Sequence, residues 1–228
     1  MRRSVPAPPA RRPPPAAPNS EFPLHLIDAR FLTTAVKPQH YPPANRPEIA
    51  FVGRSNVGKS SMINALAGRR KLVRVSRTPG RTRALNFFDI DLEWQDAKRE
   101  VRMADLPGYG FAKVSRSERE EWEGMITTFL EKRNGLQAIV SIIDAEVGPT
   151  AEDVQVLGYL QERTGARLLV AATKLDRLAK ARRKPRLAQI AEQLALPREA
   201  VHGVSSTERL GIEEIWDALL STLFDSES

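Results

Sequence analysis

Cysteine is absent from the 228 residues, which excludes disulfides, zinc–thiolate centres and a thiol nucleophile and makes a reducing compartment the unforced setting. Histidine is scarce. His25, His40 and His202 stand too far apart in sequence to suggest a metal-ligand pattern. No apolar run of about eighteen residues occurs, so a membrane span is not expected. The chain starts Met-Arg-Arg and passes straight into prolines, so a secretory signal is not expected either. The expectation is a cytoplasmic monomer with no membrane partner.

With 41% apolar and 28% charged residues, the composition suits one globular domain with a full core and some residues to spare. It fits neither a disordered chain nor a mini-scaffold. Of the net charge of +7, four units belong to Arg2, Arg3, Arg11 and Arg12, ahead of the first acid, Glu21. Such a tail suits nucleic acid and equally suits ordinary solubility. Pro6, Pro8, Pro9, Pro13, Pro14, Pro15 and Pro18 favour solvated polyproline II over any core, and oppose the amphipathic helix of a transit peptide. Residues 1–20 are therefore read as a disordered extension, 21–47 as a lead-in packing on the main domain, and 48–228 as that domain.

From Glu48 onward β-like runs alternate with helix-like stretches. Glu48–Val52, Ala84–Leu92, Val101–Ala104, Ala138–Asp144, Arg167–Thr173 and Val201–Val204 read as strands. Ser117-Glu118-Arg119-Glu120 reads as a capping box opening a helix with Trp122, Met125, Phe129 and Leu130 on one face. Ile212, Ile215, Trp216, Leu219, Leu220 and Leu223 repeat at helical spacing near the end. Alternation of this kind implies an α/β fold: a mostly parallel six-stranded sheet with helices on both faces. The short polar link Glu93 to Arg99 predicts one antiparallel pair at the sheet edge.

The chemistry begins where the first of these strands ends. Gly53-Arg54-Ser55-Asn56-Val57-Gly58-Lys59-Ser60, followed by Ser61, fits GxxxxGK[ST] between a strand and a helix. Such a loop aims backbone N–H groups and a helix N-terminus at phosphate oxygens, sends Lys59 to the β- and γ-phosphates and offers the Ser60 hydroxyl to Mg²⁺. Asp105-Leu106-Pro107-Gly108 ends a later strand, where the carboxylate can hold the metal's water shell and the Gly108 N–H can meet the γ-phosphate. Thr173-Lys174-Leu175-Asp176 follows a further strand. The Asp176 carboxylate can accept from guanine N1–H and the exocyclic amine, a donor pair adenine lacks, and the Lys174 stem covers the base. Together the three motifs point to a GTPase, and the last argues against an ATP-dependent P-loop kinase.

These residues, with Ala35-Val36-Lys37-Pro38, Pro47-Glu48-Ile49-Ala50-Phe51, Thr78-Pro79-Gly80-Arg81-Thr82, Asn86-Phe87-Phe88 and Asp105-Leu106-Pro107-Gly108-Tyr109-Gly110, resemble the EngB (YihA/YsxC) family of Ras-like, ribosome-biogenesis GTP-binding proteins. The resemblance implies GTP and GDP as ligands, Mg²⁺, a role in assembling the large ribosomal subunit from its rRNA and proteins, and normal cell division and septation. It implies too that Thr82, within Gly80-Arg81-Thr82-Arg83-Ala84, joins Ser60 on Mg²⁺, and that Val204-Ser205-Ser206 meets the guanine oxygen through backbone N–H groups. On the residues alone Thr78 rivals Thr82, and the serines pass as a helix-capping turn.

Tyr109 stands where many Ras-like proteins carry a water-orienting glutamine, which predicts slow intrinsic hydrolysis. Tyr109 and Phe111, flanked by glycines, read as a mobile aromatic pair for a partner or for packing. Asn56 is the candidate ligand of a K⁺ ion that would supply the absent cationic charge, with a turn-stabilising role as the alternative and Arg81 and Arg83 as competitors. Lys180, Arg182, Arg183, Lys184 and Arg186 form either an RNA-phosphate patch or the solvated start of a helix. An RNA-binding scaffold that holds GTP structurally is the alternative function.

Overall fold

Seven strands, β1 (Leu24–Ala35), β2 (Glu48–Gly53), β3 (Leu85–Trp94), β4 (Ala97–Asp105), β5 (Leu136–Asp144), β6 (Arg167–Thr173) and β7 (Val201–Gly203), form one sheet in the order β1-β3-β4-β2-β5-β6-β7. The computed structural model describes residues 24–73, 84–109 and 116–224, the stretch 116–123 by its backbone. Pairing from β4 through β7 is parallel, whereas β3 runs antiparallel to both β1 and β4.

Strand β2 is buried along its whole length, as a strand covered on both faces must be. Ile49 and Phe51 join one hydrophobic cluster and Ala50 and Val52 another, following the two-residue period of a strand. The first cluster takes in Met62, Ile63 and Leu66 of α1 (Lys59–Leu66) and Ile215, Trp216 and Leu219 of α5 (Ile212–Phe224). Three helices cover the other face: α2 (Arg116–Lys132), α3 (Ala151–Arg163) and α4 (Lys180–Gln193), through Phe129, Leu160 and Ile190. Trp216 Nε1 donates to the Leu66 carbonyl at 3.0 Å, so α5 satisfies a group left open at the end of α1.

The sheet is mostly parallel with an antiparallel edge, as expected, but among the described residues it has seven strands rather than six. The extra strand is β1, twelve residues of the lead-in lying along β3. Its pairing shifts register between Leu26 and Asp28 and between Phe31 and Thr33, and these bulges break the alternation by which a strand is recognised. The polar link after β3 is also shorter than its composition suggested. Trp94 pairs with Ala97 across a turn whose central residues, Gln95 and Asp96, both have positive φ. That is the geometry of a two-residue hairpin turn without its usual glycine or asparagine. Helix α2 opens at Arg116; its expected cap and Trp122 lie outside the described side chains.

At the amino end of the sheet the buried Glu48 receives Arg133 Nε at 2.7 Å and Arg133 Nη2 at 2.6 Å, with Arg102 Nη1 at 3.4 Å. Arg102 also reaches Asp89 and the Pro43 carbonyl, and Arg133 the Pro42 carbonyl. One carboxylate thus ties β2 to β4, to the end of α2 and to the lead-in, and its partners offset the cost of burying the charge.

Candidate nucleotide-binding site

Strand β2 lies between β4 and β5, so the chain turns one way along the sheet after β2 and the other way after β4. Ligands of doubly wound folds bind outside the carboxyl ends of the strands at such a switch point. The loops after β2, β4, β5, β6 and β7 all leave from this end, and four of them carry the residues singled out in the sequence.

Gly53 closes β2, and a Cβ there would meet the Ile142 carbonyl oxygen at 2.9 Å, so only glycine lets the loop leave so close to β5. Asn56 and Gly58 hold positive φ, +64° and +100°, and turn the backbone into α1. No side chain caps that helix, which leaves the N–H groups of its first turn to an incoming anion. Lys59 donates to Asp105, a residue only 3% exposed. Leu106 N donates to the Phe51 carbonyl at 3.1 Å, and Gly108 lies against Ser55, where a Cβ would come within 2.9 Å of the hydroxyl. Ser60 and Ser61 stand half-buried in the first turn of α1.

Tyr109 departs from the mobile reading. It is buried, its carbonyl accepts from Ser55 N at 3.3 Å, and its hydroxyl donates to Asp153 Oδ1 at 2.8 Å. Burial, followed by the Asp153 charge, pushes the phenol well above its ordinary range. Asp153 also closes the Thr150 capping box at the start of α3 and lies 3.4 Å from Arg54 Nε. The T-x-x-D string was visible in the sequence, but nothing there joined it to Tyr109.

The base end is cross-braced. Thr173 donates to the Val57 carbonyl, fastening β6 to the phosphate loop. Lys174, at φ +58°, sends Nζ to the Asn56 carbonyl at 2.8 Å and to Asp144 Oδ2 at 2.7 Å. Asp144 is buried, and although desolvation opposes its charge, the Lys174 contact and the Glu146 and Val147 N–H groups hold its carboxyl below the ordinary value. Asp144 closes an expected strand, and nothing in its sequence neighbourhood marks it for a role. Leu175 is buried and bonds to the Val204 carbonyl at 3.1 Å. Asp176 accepts from the Ser205 hydroxyl at 2.7 Å, and Ser205 N is taken by the Leu210 carbonyl at 3.0 Å. Ser205 therefore braces Asp176 instead of presenting its own N–H to a base; Val204 is buried and Ser206 half-buried beside it.

Of the remaining expected residues, Ala84 is buried at the entry to β3, while Gly80, Arg81, Thr82, Arg83 and the rival Thr78 lie outside the described residues, as does Phe111. The basic run opens α4. Arg183 pairs with Glu208 at 3.0 Å, and Arg186 reaches the Ala145 carbonyl at 2.7 Å, so two of its five cations serve the fold.

The switch-point loops and the guanine-type motif define a P-loop GTPase of the Ras-like kind. Residues 48–174 match the family described as 50S ribosome-binding GTPase. Within that class the chain belongs to the EngB family of GTP-binding proteins. It is 61% identical over 199 residues to the probable GTP-binding protein EngB of Myxococcus xanthus (strain DK1622), covering 87% of this chain and 96% of the relative. Against the namesake of Anaeromyxobacter sp. (strain Fw109-5) the identity is 46% over 206 residues, with coverages of 90% and 95%. A crystal structure of a probable GTP-binding protein engB superposes with a TM-score of 0.58 at 26% identity, over 78% of this chain and 99% of that one. The protein binds GTP and GDP and hydrolyses GTP. Among the described residues no helix is long and apolar enough to cross a membrane.

Proposed function

We propose that the protein is a Mg²⁺-dependent GTP switch in the assembly of the large ribosomal subunit and through it serves cell division and septation. The match of residues 48–174 to a family described as 50S ribosome-binding GTPase carries this reading. In it, residues 48–228 are the GTP-binding domain, 21–47 its lead-in and 1–20 an extension, working as a monomer in the cytoplasm.

The residues divide the work. Backbone N–H groups from Gly53 to Ser61 cradle the phosphates, and Lys59, paired with Asp105, also takes up the β- and γ-phosphate oxygens. The Ser60 hydroxyl and the buried Asp105 carboxylate are hard oxygen donors, which suit a hard cation held mainly by phosphate and water, with Asp105 on its water shell and Thr82 as the second hydroxyl. Mg²⁺ held there would supply positive charge to offset that of the phosphates. Gly108 offers its N–H to the γ-phosphate. Asp176, aligned by Ser205, accepts from the guanine donors while the Lys174 stem covers the ring, and Ser206 offers its N–H to the guanine oxygen. Tyr109 is bonded to Asp153 and supplies no amide to orient water, so turnover without a partner is slow.

The φ of +64° at Asn56 fits the turn-stabilising alternative, and its exposed side chain leaves the K⁺ role to be decided by turnover. Turnover faster in K⁺ than in Na⁺, with the difference lost in Asn56→Ala, supports that role; equal rates return the charge to Arg81, Arg83 or the partner. The wider reading is tested by sedimentation with large-subunit precursors in GTP-analogue and GDP states, alongside turnover with and without the particles. State-dependent binding with accelerated turnover is expected. State-independent binding without acceleration would favour a scaffold that holds GTP structurally.

A further inference from the structure

Lys174 is held from two sides, by the Asn56 carbonyl and by Asp144 Oδ2, at 2.8 and 2.7 Å. Asp144 belongs to no nucleotide motif, yet the loop after it is anchored at several points. Its Oδ1 accepts from Glu146 N at 2.9 Å and Val147 N at 3.4 Å, and its carbonyl accepts from Gly148 N at 2.8 Å. Ala145 N donates to the Thr173 carbonyl at 2.9 Å, joining this loop to the start of the guanine motif. From α4, Arg186 donates to the Ala145 and Glu146 carbonyls at 2.7 and 3.2 Å. Its guanidinium fills the space beside Gly148, where a Cβ would come within 2.5 Å of Nη2.

An aspartate serving only to stabilise a turn needs one oxygen, and Oδ1 already performs that task. Oδ2 is given to the lysine. We propose that Asp144 is a positioning residue for guanine recognition, which fixes the Lys174 side chain in one pose before a nucleotide binds. The inference rests on the assignment of Lys174 and Asp176 to the base. A lysine otherwise loses much rotamer freedom when its stem is laid on a ring, and an ion pair formed beforehand removes that cost from binding. Because the same ammonium bonds to Asn56, the pose also links the base loop to the phosphate loop. Arg186 acts one step further out, by holding the loop that presents Asp144.

Asp144→Asn tests this, because the amide keeps an acceptor for the Glu146 and Val147 N–H groups and loses only the anionic partner of Lys174. Affinities for GDP and XDP are measured by displacement of a fluorescent GDP, with thermal unfolding followed without nucleotide. The expected result is GDP binding weakened by about ten- to thirtyfold, an unchanged preference for GDP over XDP, and a melting temperature near that of wild type. In a Lys174→Met background the same substitution is expected to weaken GDP no further. If Asp144→Asn does not fold, Asp144→Ser, which retains a short acceptor, gives the same reading. Wild-type GDP affinity, or an equal loss with and without Lys174, would overturn the proposal by showing that Asp144 acts on the loop alone. GDP binding retained by Asp176→Asn would instead overturn the underlying base assignment.

Discussion

The two halves of the nucleotide site are built on opposite plans. At the base end the motif side chains already have protein partners: Thr173 with Val57, Lys174 with Asp144 and Asn56, Asp176 with Ser205. At the phosphate end α1 starts without a side-chain cap, and Lys59 and Asp105 answer one another. Preorganisation suits a base that is the same in GTP and GDP. The phosphate end must distinguish the two, and a lysine paired with a buried carboxylate can redistribute its contacts when a terminal phosphate is present.

The comparison is broken most severely at Asp176. In the proposed base assignment Asp176→Asn turns an acceptor into a donor facing the guanine N–H groups, and a loss of GTP affinity on the order of 10⁴ is expected, with xanthosine triphosphate gaining in competition assays. At the other end, Lys59→Ala should abolish measurable turnover. It also leaves the 3%-exposed Asp105 without its cation, so chemical denaturation should show a loss of about 3 kcal/mol. A phosphate half that tolerated the substitution without loss of stability would contradict the paired reading.

Tyr109→Phe removes one hydrogen bond to Asp153, which keeps its Thr150 contacts. About 1 kcal/mol of stability should go, and GDP affinity should stay unchanged if the base end is independent of this contact. The smallest effect lies under the base half, on β7. Burial, and then the Arg198 charge, lower the His202 pKa from 6.5, so the unfolded chain takes up a proton first as pH falls. Stability is therefore full above about pH 6.5 and declines below it, until the folded-state value is reached. His202→Gln should flatten that decline in melting curves recorded between pH 7 and 5, roughly the window in which a histidine changes charge.

What could be read from the sequence and what could not follow the same division between local and distant causes. The phosphate and guanine strings encode loops by contiguous residues, and β2, β5 and β6 are continuous apolar runs, so both kinds of feature are legible one segment at a time. Strand β1 is not, because two register shifts scramble its alternation. Nor is the Gln95-Asp96 turn, which takes left-handed backbone without glycine because the paired strands on either side demand it. Asp144 with Lys174 and Tyr109 with Asp153 lie 30 and 44 residues apart, and each pair exists only because the sheet order brings its loops to one edge. Arg183 and Arg186 counted as a charge run in sequence because their acceptors, Glu208 and the Ala145 carbonyl, come from other loops.

The bond from Trp216 to the Leu66 carbonyl spans 150 residues, and it sets an order in time. During synthesis the phosphate loop and α1 leave the exit tunnel long before the helix that supports them from behind. At about 5–20 residues per second the gap is on the order of ten to thirty seconds. Throughout that interval the face of α1 carrying Met62, Ile63 and Leu66 lacks Ile215, Trp216 and Leu219 to pack against. A growing chain that displays every phosphate-binding residue is thus expected to remain blind to nucleotide until its last helix docks. Stalled nascent chains of increasing length, probed with a fluorescent GDP, would reveal a single late onset of binding rather than a gradual one.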